Sequence, residues 1–116
     1  MKGSASRLAV LAISIFVLNA LSACGQRAEE AACIDTVGVL ADVLQRCGAV
    51  QPRSLLEDEV EDSVTMSMGC GRVVEIRDEV ELREVCFPAL DAADCADVMA
   101  GTLDPSCRAQ IVVRVR

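Results

Sequence analysis

The sequence predicts a mainly α fold: a small disulfide-stabilised bundle of about four helices, following a cleaved signal peptide. Three observations predict it. Apolar residues recur at steps of three and four along most of the chain beyond Ala28. Seven cysteines occur, and none forms a C-x-x-C pair. Once Phe16 leaves with the signal, Phe87 is the last aromatic, so the core is aliphatic and a domain this small needs staples.

The N-terminus settles the compartment that the other residues are read in. Lys2 and Arg7 form a positive n-region, and Leu8 to Leu21 is an apolar run broken only by Ser14 and Asn19. That is a signal-peptide pattern, and the run is shorter than the ~20 residues a membrane span needs. Leu21-Ser22-Ala23-Cys24 follows: an aliphatic residue, two small residues, then cysteine. This stretch resembles the bacterial lipoprotein lipobox at every position. The resemblance implies that Cys24 receives a diacylglycerol thioether, that residues 1–23 are removed, and that Cys24 becomes the acylated first residue. Gly25 follows where an inner-membrane signal would place Asp, so the resemblance also implies an outer-membrane address. The alternative is a secreted, non-lipidated, disulfide-rich protein cut after Ser22 or Ala23, and it leaves Cys24 unexplained.

The domain plan is a signal peptide over 1–23, a lipidated N-terminus and short tether over 24–32, and one small cysteine-rich helical domain over 33–116. The mature chain of 93 residues keeps all 18 acids and 9 arginines, a side-chain net charge of −9. Such a surface repels phosphates, so nucleic acid is excluded as a partner and the lipid, not the surface, is expected to hold the membrane. Cys33, Cys47, Cys70, Cys86, Cys95 and Cys107 remain to pair as three disulfides. Six cysteines allow 15 pairings, and spacing does not choose among them. Wide spacing and the absence of His disfavour zinc, iron–sulfur and redox roles.

A first helix is expected from Ala28 to Cys47. Cys33, Val37, Leu40, Leu44 and Cys47 line one face, and Gly48 stops it. A rise of ~1.5 Å per residue sets Cys33 and Cys47 about 21 Å apart, so each must bond another segment. Ser54-Leu55-Leu56-Glu57 has capping-box spacing for a second helix carrying Leu56, Val60 and Val64. Residues 63–74 read as helix or strand; the helical reading is preferred, with Met66 and Met68 as core fillers. Asp78 and Glu81 cap a third helix whose inner face is Leu82, Val85, Cys86 and Ala89, and Pro88 kinks or ends it. Asp91 and Asp94 open a fourth, with Cys95, Val98 and Met99 inward and Gly101 as its stop. Asp104-Pro105 starts a short turn holding Cys107. Residues 111–116 read as a strand, a helix end or a tail.

Beyond the lipobox, the Cys-in-helix spacing and the ending Leu103-Asp104-Pro105-Ser106-Cys107 resemble small six-cysteine helical lipoproteins of high-GC bacteria, a resemblance that brings no activity with it.

Little catalytic chemistry is on offer. The mature chain has no His and no Lys, so the usual general bases are missing. Carboxylates alone remain, and an aromatic-poor domain of this size lacks the deep cleft and stacking rings that a glycosidase needs. No catalytic residue, cofactor or metal site is assigned, and the expectation is no enzyme. The expected role is a lipid-anchored envelope protein, structural or protein-binding, joined to the membrane at Cys24 and to a protein partner the sequence does not name. The alternative is a small-ligand or cation binder using the run Glu57, Asp58, Glu59, Glu61 and Asp62. That run lacks the spacing of a calcium loop and suits a solvated helix face.

Overall fold

A computed structural model describes residues 26–115. The expected signal segment 1–23 and the expected lipid acceptor Cys24 lie outside the described residues. In chain order come α1 (Ala28–Arg46), α2 (Arg53–Thr65), a 3-10 turn (Cys70–Arg72), β1 (Val73–Ile76), α3 (79–91), α4 (Cys95–Met99), a second 3-10 turn (Pro105–Cys107) and β2 (Ile111–Val113). The fold is mainly helical, as expected, with four helices among the described residues. A two-stranded antiparallel sheet is the addition.

Helix α1 is the central element. Its Ala32, Cys33, Thr36, Val37, Ala41 and Val43 are buried, and α2, β1 and α3 all pack on it. The stretch 28–32, which the sequence shares between tether and helix, is helical and buries Ala32 completely. Gly48 ends the helix with φ +103°, a left-handed conformation that costs glycine nothing.

Helix α2 begins one residue before the expected cap. Pro52 precedes its first turn, and Ser54 lies inside the helix, exposed, so the capping box does not form. Pro52 fixes its own φ at −55°, which already suits a helix entry, and Glu57 bonds Arg53 rather than reaching back to the chain. Leu56 and Val60 are buried as the spacing predicts.

The preferred helical reading of 63–74 is wrong beyond Thr65. Met66 and Ser67 both adopt positive φ, and Gly69 does too. Thr65, fully buried, is the reason the chain turns here. Its Oγ1 donates to Glu61 O at 2.6 Å and accepts from Gly69 N at 2.8 Å. Ser67 N bonds Asp62 O at 2.8 Å, so the turn satisfies the carbonyls the helix leaves open. Met66 is 65% exposed and fills no core, whereas Met68 packs against it.

Strand β1 then pairs with β2 in the register Val73↔Val113, Glu75↔Val112 and Ile76↔Ile111, with a bulge between Val73 and Glu75. The bulge leaves Val74 without a partner and turns it outward, 40% exposed. The C-terminal segment thus supplies the strand that 73–76 lacked in sequence.

Asp78 caps α3, its carboxylate accepting from Glu81 N at 3.0 Å. The inner face differs from the expected one: Leu82, Cys86 and Leu90 are buried, while Val85 is 51% exposed. Leu82–Cys86 is a π turn, in which Phe87 N donates to Leu82 O. Pro88 explains it. Proline gives no N–H and its ring crowds the carbonyl four residues back, so the turn widens instead of breaking. The wider turn brings residues four apart onto one line, and α3 continues past Pro88 to Asp91.

Helix α4 is short and buries no residue completely. Asp91 belongs to the end of α3; Asp94 alone precedes α4, without a side-chain cap bond. Met99, expected inward, is 71% exposed. Gly101 stops the helix at φ +74°.

Among the described residues two buried clusters result. One joins Cys33, Val37, Val60, Cys70, Val73 and Val113. The other joins Ala32, Val43, Leu82, Cys86 and Leu90, and Leu40 and Ile76 touch both.

Candidate functional site

The cysteines are the first chemistry the fold organises. Cys33 bonds Cys70, Cys47 bonds Cys95, and Cys86 bonds Cys107, with Cα–Cα distances of 5.6, 5.4 and 5.0 Å. Cys33 and Cys47 leave α1 for different segments, as their separation along the helix demands. Cys33 and Cys86 are buried; Cys47 and Cys95 are half-buried at the edge. Glu61 positions Cys70, because its Oε2 accepts from Cys70 N at 2.8 Å. Gln110 positions Cys107. Its Oε1 accepts from Asp78 N at 2.8 Å and its Nε2 donates to Ser106 O at 2.9 Å, so a buried amide joins the start of α3 to the second 3-10 turn. Asp104 caps that turn, accepting from Ser106 Oγ at 2.6 Å and from Ser106 N at 3.0 Å. The Ser106 hydroxyl, then its backbone N–H, hold the Asp104 carboxyl below the usual carboxylate range, and Arg108 adds to the effect.

Two arginines clamp the helices from outside. Arg53 of α2 holds Asp42 and Gln45 of α1, holds Glu57 at 3.0 Å, and donates to Gly38 O at 3.1 Å. Arg83 of α3 holds Asp35 of α1 at 2.9 Å and Glu79 at 3.1 Å. Each guanidinium is pushed above its ordinary value, first by its bond to the α1 carboxylate. Both stay charged at any working pH.

The acidic run lies on α2. Glu57, Asp58 and Glu61 line a hollow of about 240 Å³ between α1 and α2, with Ile34, Val37 and Ser54. Two of the three carboxylates have structural partners: Glu57 holds Arg53, and Glu61 holds the Cys70 amide. Among the described residues no group of three His, Cys, Asp or Glu converges as a metal site.

On the other side of α2, Leu40, Leu44, Leu56, Val60, Val98 and Leu103 line an apolar cleft of about 290 Å³. It adjoins an inner hollow of about 160 Å³ under Leu82, Leu90 and Ile111, and Leu40, Val64 and Leu103 border both. Helix α4 forms the rim of the cleft.

Arg27, Arg72 and Arg114 border a shallow hollow of about 180 Å³ with Gly71 and Val74. The sequence reading missed this grouping, because Arg72 and Arg114 meet only through the β1–β2 pairing. One signal for it was present: Val113-Arg114-Val115 alternates, which puts Arg114 opposite the buried side of a strand.

No family model matches the chain, and neither the curated proteins nor the solved structures give a significant match. Among the described residues no helix is long and apolar enough to cross a membrane. The disulfides fit an exported protein.

Proposed function

We propose that the chain is a lipid-anchored cell-envelope protein with a structural or protein-binding role, held at Cys24 and facing the periplasm or the surface from the outer membrane. One observation carries the reading. The six cysteines beyond the signal pair among themselves, so Cys24 has no cysteine left within the chain to bond. An odd thiol at the last position of Leu21-Ser22-Ala23-Cys24 is what a lipid acceptor needs. The outer-membrane side follows from Gly25. The apolar cleft beside α4 offers a protein partner a recessed contact. We read the protein as non-catalytic: no His or Lys is left in the mature chain, and its carboxylates hold arginines and backbone amides.

The test is the intact mass of the protein extracted from its host's membranes, alkylated without and then with reduction. Acyl mass at Cys24, with six thiols reacting only after reduction, is the expected result. An unacylated chain, or thiols that react before reduction, would overturn it. Calcium addition gives the cation-binding alternative its own check, since a rise in melting temperature abolished by Asp58→Asn would favour that reading.

A further inference from the structure

The mature chain is strongly acidic, but net charge does not describe how its arginines are placed. Arg53 and Arg83 each hold two carboxylates, and Arg46 donates to Leu90 O and Ala93 O. Arg27, Arg72 and Arg114 form a separate group around one hollow, and among the described residues no acidic side chain lines it. The backbone holds them together. Arg27 Nη2 donates to Gly71 O at 2.7 Å, and Arg114 N donates to Arg72 O at 3.0 Å. All three are exposed, and among the described residues none is in an ion pair. Glu29, Glu30 and Glu75 are near in sequence yet pair with none of them. Val74 and Val115, 40% and 67% exposed, add apolar surface to this end of the sheet.

The position of the group matters as much as its charge. Arg27 is three residues after Cys24, and an extended chain covers at most ~3.6 Å per residue, so the group lies within reach of the bilayer surface if Cys24 is acylated. We propose that this arginine end is a docking surface for anionic phospholipid headgroups, which sets the orientation of the domain on the membrane. The proposal rests on the anchor reading above. Guanidinium groups match phosphate oxygens in a planar fork, and basic side chains beside an anchor gain from an anionic leaflet. The acidic remainder of the surface is repelled by the same leaflet. Attraction at one end and repulsion elsewhere turn the tethered domain sheet-end down. Such docking departs, at this end, from the expectation that net charge alone gives, in which the surface takes no part in membrane contact.

The experiment uses the mature acylated protein in two kinds of vesicle, phosphatidylcholine alone and phosphatidylcholine with one part in three of phosphatidylglycerol. Hydrogen exchange is followed in peptides covering 71–75 and 112–115. Severalfold slower exchange in the anionic vesicles is expected, lost in high salt and lost in Arg72→Gln with Arg114→Gln. Arg108→Gln, outside the group, should keep the effect. Both exchanged arginines are exposed, and the three disulfides report whether each variant folds. Equal exchange in the two vesicles, with acyl mass present, would overturn the docking surface and leave the anchor standing. Absence of acyl mass is seen earlier, by mass spectrometry, and overturns the anchor. The unacylated chain is then spun with the anionic vesicles, where failure to pellet removes the docking surface too.

Discussion

Two disulfides leave the two ends of α1 and do different work. Cys33–Cys70 lies inside a cluster with Val37, Val60, Val73 and Val113, all buried. Cys47–Cys95 lies at the edge and holds α4, which has no fully buried residue of its own. Where a core exists, the bridge adds to packing. At α4, where the partly buried Val98 alone packs against the second cluster, it supplements thin packing, helped by Arg46, which bonds the carbonyls of Leu90 and Ala93 just before that helix. The closed loops are similar, 37 and 48 residues apart in sequence, so chain entropy alone predicts about 4 kcal/mol for either bridge. Loop length therefore does not separate the two, and burial must.

The largest effect should come from Cys33→Ala with Cys70→Ala. The variant loses the chain constraint and also leaves space inside a packed cluster, so a loss of about 4 kcal/mol or more is expected, enough to threaten folding of a small domain. Urea denaturation followed by far-UV circular dichroism measures it. Cys47→Ala with Cys95→Ala should cost clearly less. Freeing α4 raises the entropy of the folded state as well as the unfolded one, which cancels part of the entropic loss. Amide exchange should rise over 95–101 while α1 stays protected. Equal losses in the two variants would mean that burial does not decide, and that the contrast between the two ends is wrong.

Leu82→Ala asks the same question of the second cluster. Leu82 is 1% exposed among Val43, Cys86 and Leu90, so about 2–5 kcal/mol is expected. Val98→Ala, at the rim of the apolar cleft, should shift the urea midpoint by well under half as much. A cost at Val98 matching that at Leu82 would show that α4 belongs to the core after all.

The same contrast explains what the sequence disclosed. α1 was legible because its signals are local: apolar steps of three and four, Gly48 at its end, and two cysteines too far apart to bond each other. The Asp78 cap and the Asp104-Pro105 turn were legible for the same reason, each needing only three or four residues. Ser54 misled because a capping box is a pattern, and Pro52 with Arg53 offered an earlier start. β1 was not legible, since its partner Val113 lies 40 positions on and its bulge hides the alternation at Val74 and Glu75. Val85 was misplaced because Pro88 changes the period of α3 from a few residues away. The pairing of cysteines and the grouping of Arg27, Arg72 and Arg114 both depend on such long-range contacts. The reading of Cys24 as a lipid acceptor starts from a local pattern and is supported by the long-range pairing of the other six cysteines; Cys24 itself lies outside the described residues.

The arginine clamps give a smaller effect. Arg53→Ala releases Asp42, Gln45 and Glu57, but all these side chains meet solvent. Exposed ion pairs are screened and cost side-chain entropy to hold, so the urea midpoint should fall by a fraction of the Leu82→Ala shift, and by less in high salt. A loss as large as that of Leu82→Ala would make the clamp, and not the clusters, the main tie between α1 and α2.

The smallest effect is set by pH at the edge that Cys107 occupies. Asp104 is held below its ordinary pKa in the folded chain, chiefly by the Ser106 hydroxyl. A carboxyl with a depressed folded value stabilises above its unfolded pKa, and that contribution is lost as pH falls through the folded value. The loss therefore begins only below about pH 4, the ordinary range for aspartate. Asp104 is exposed, so its release should loosen the turn Pro105–Cys107 locally and leave the two clusters folded. The Ser106 amide reports it directly: its resonance should move with acid in the native chain and stay still in Asp104→Asn. Because Cys107 is bonded to Cys86, the turn keeps its place when the cap is lost. Global unfolding in that pH range, coincident with the Ser106 shift, would instead mean that this capped turn holds the second cluster together, and that the bridge beneath it does not.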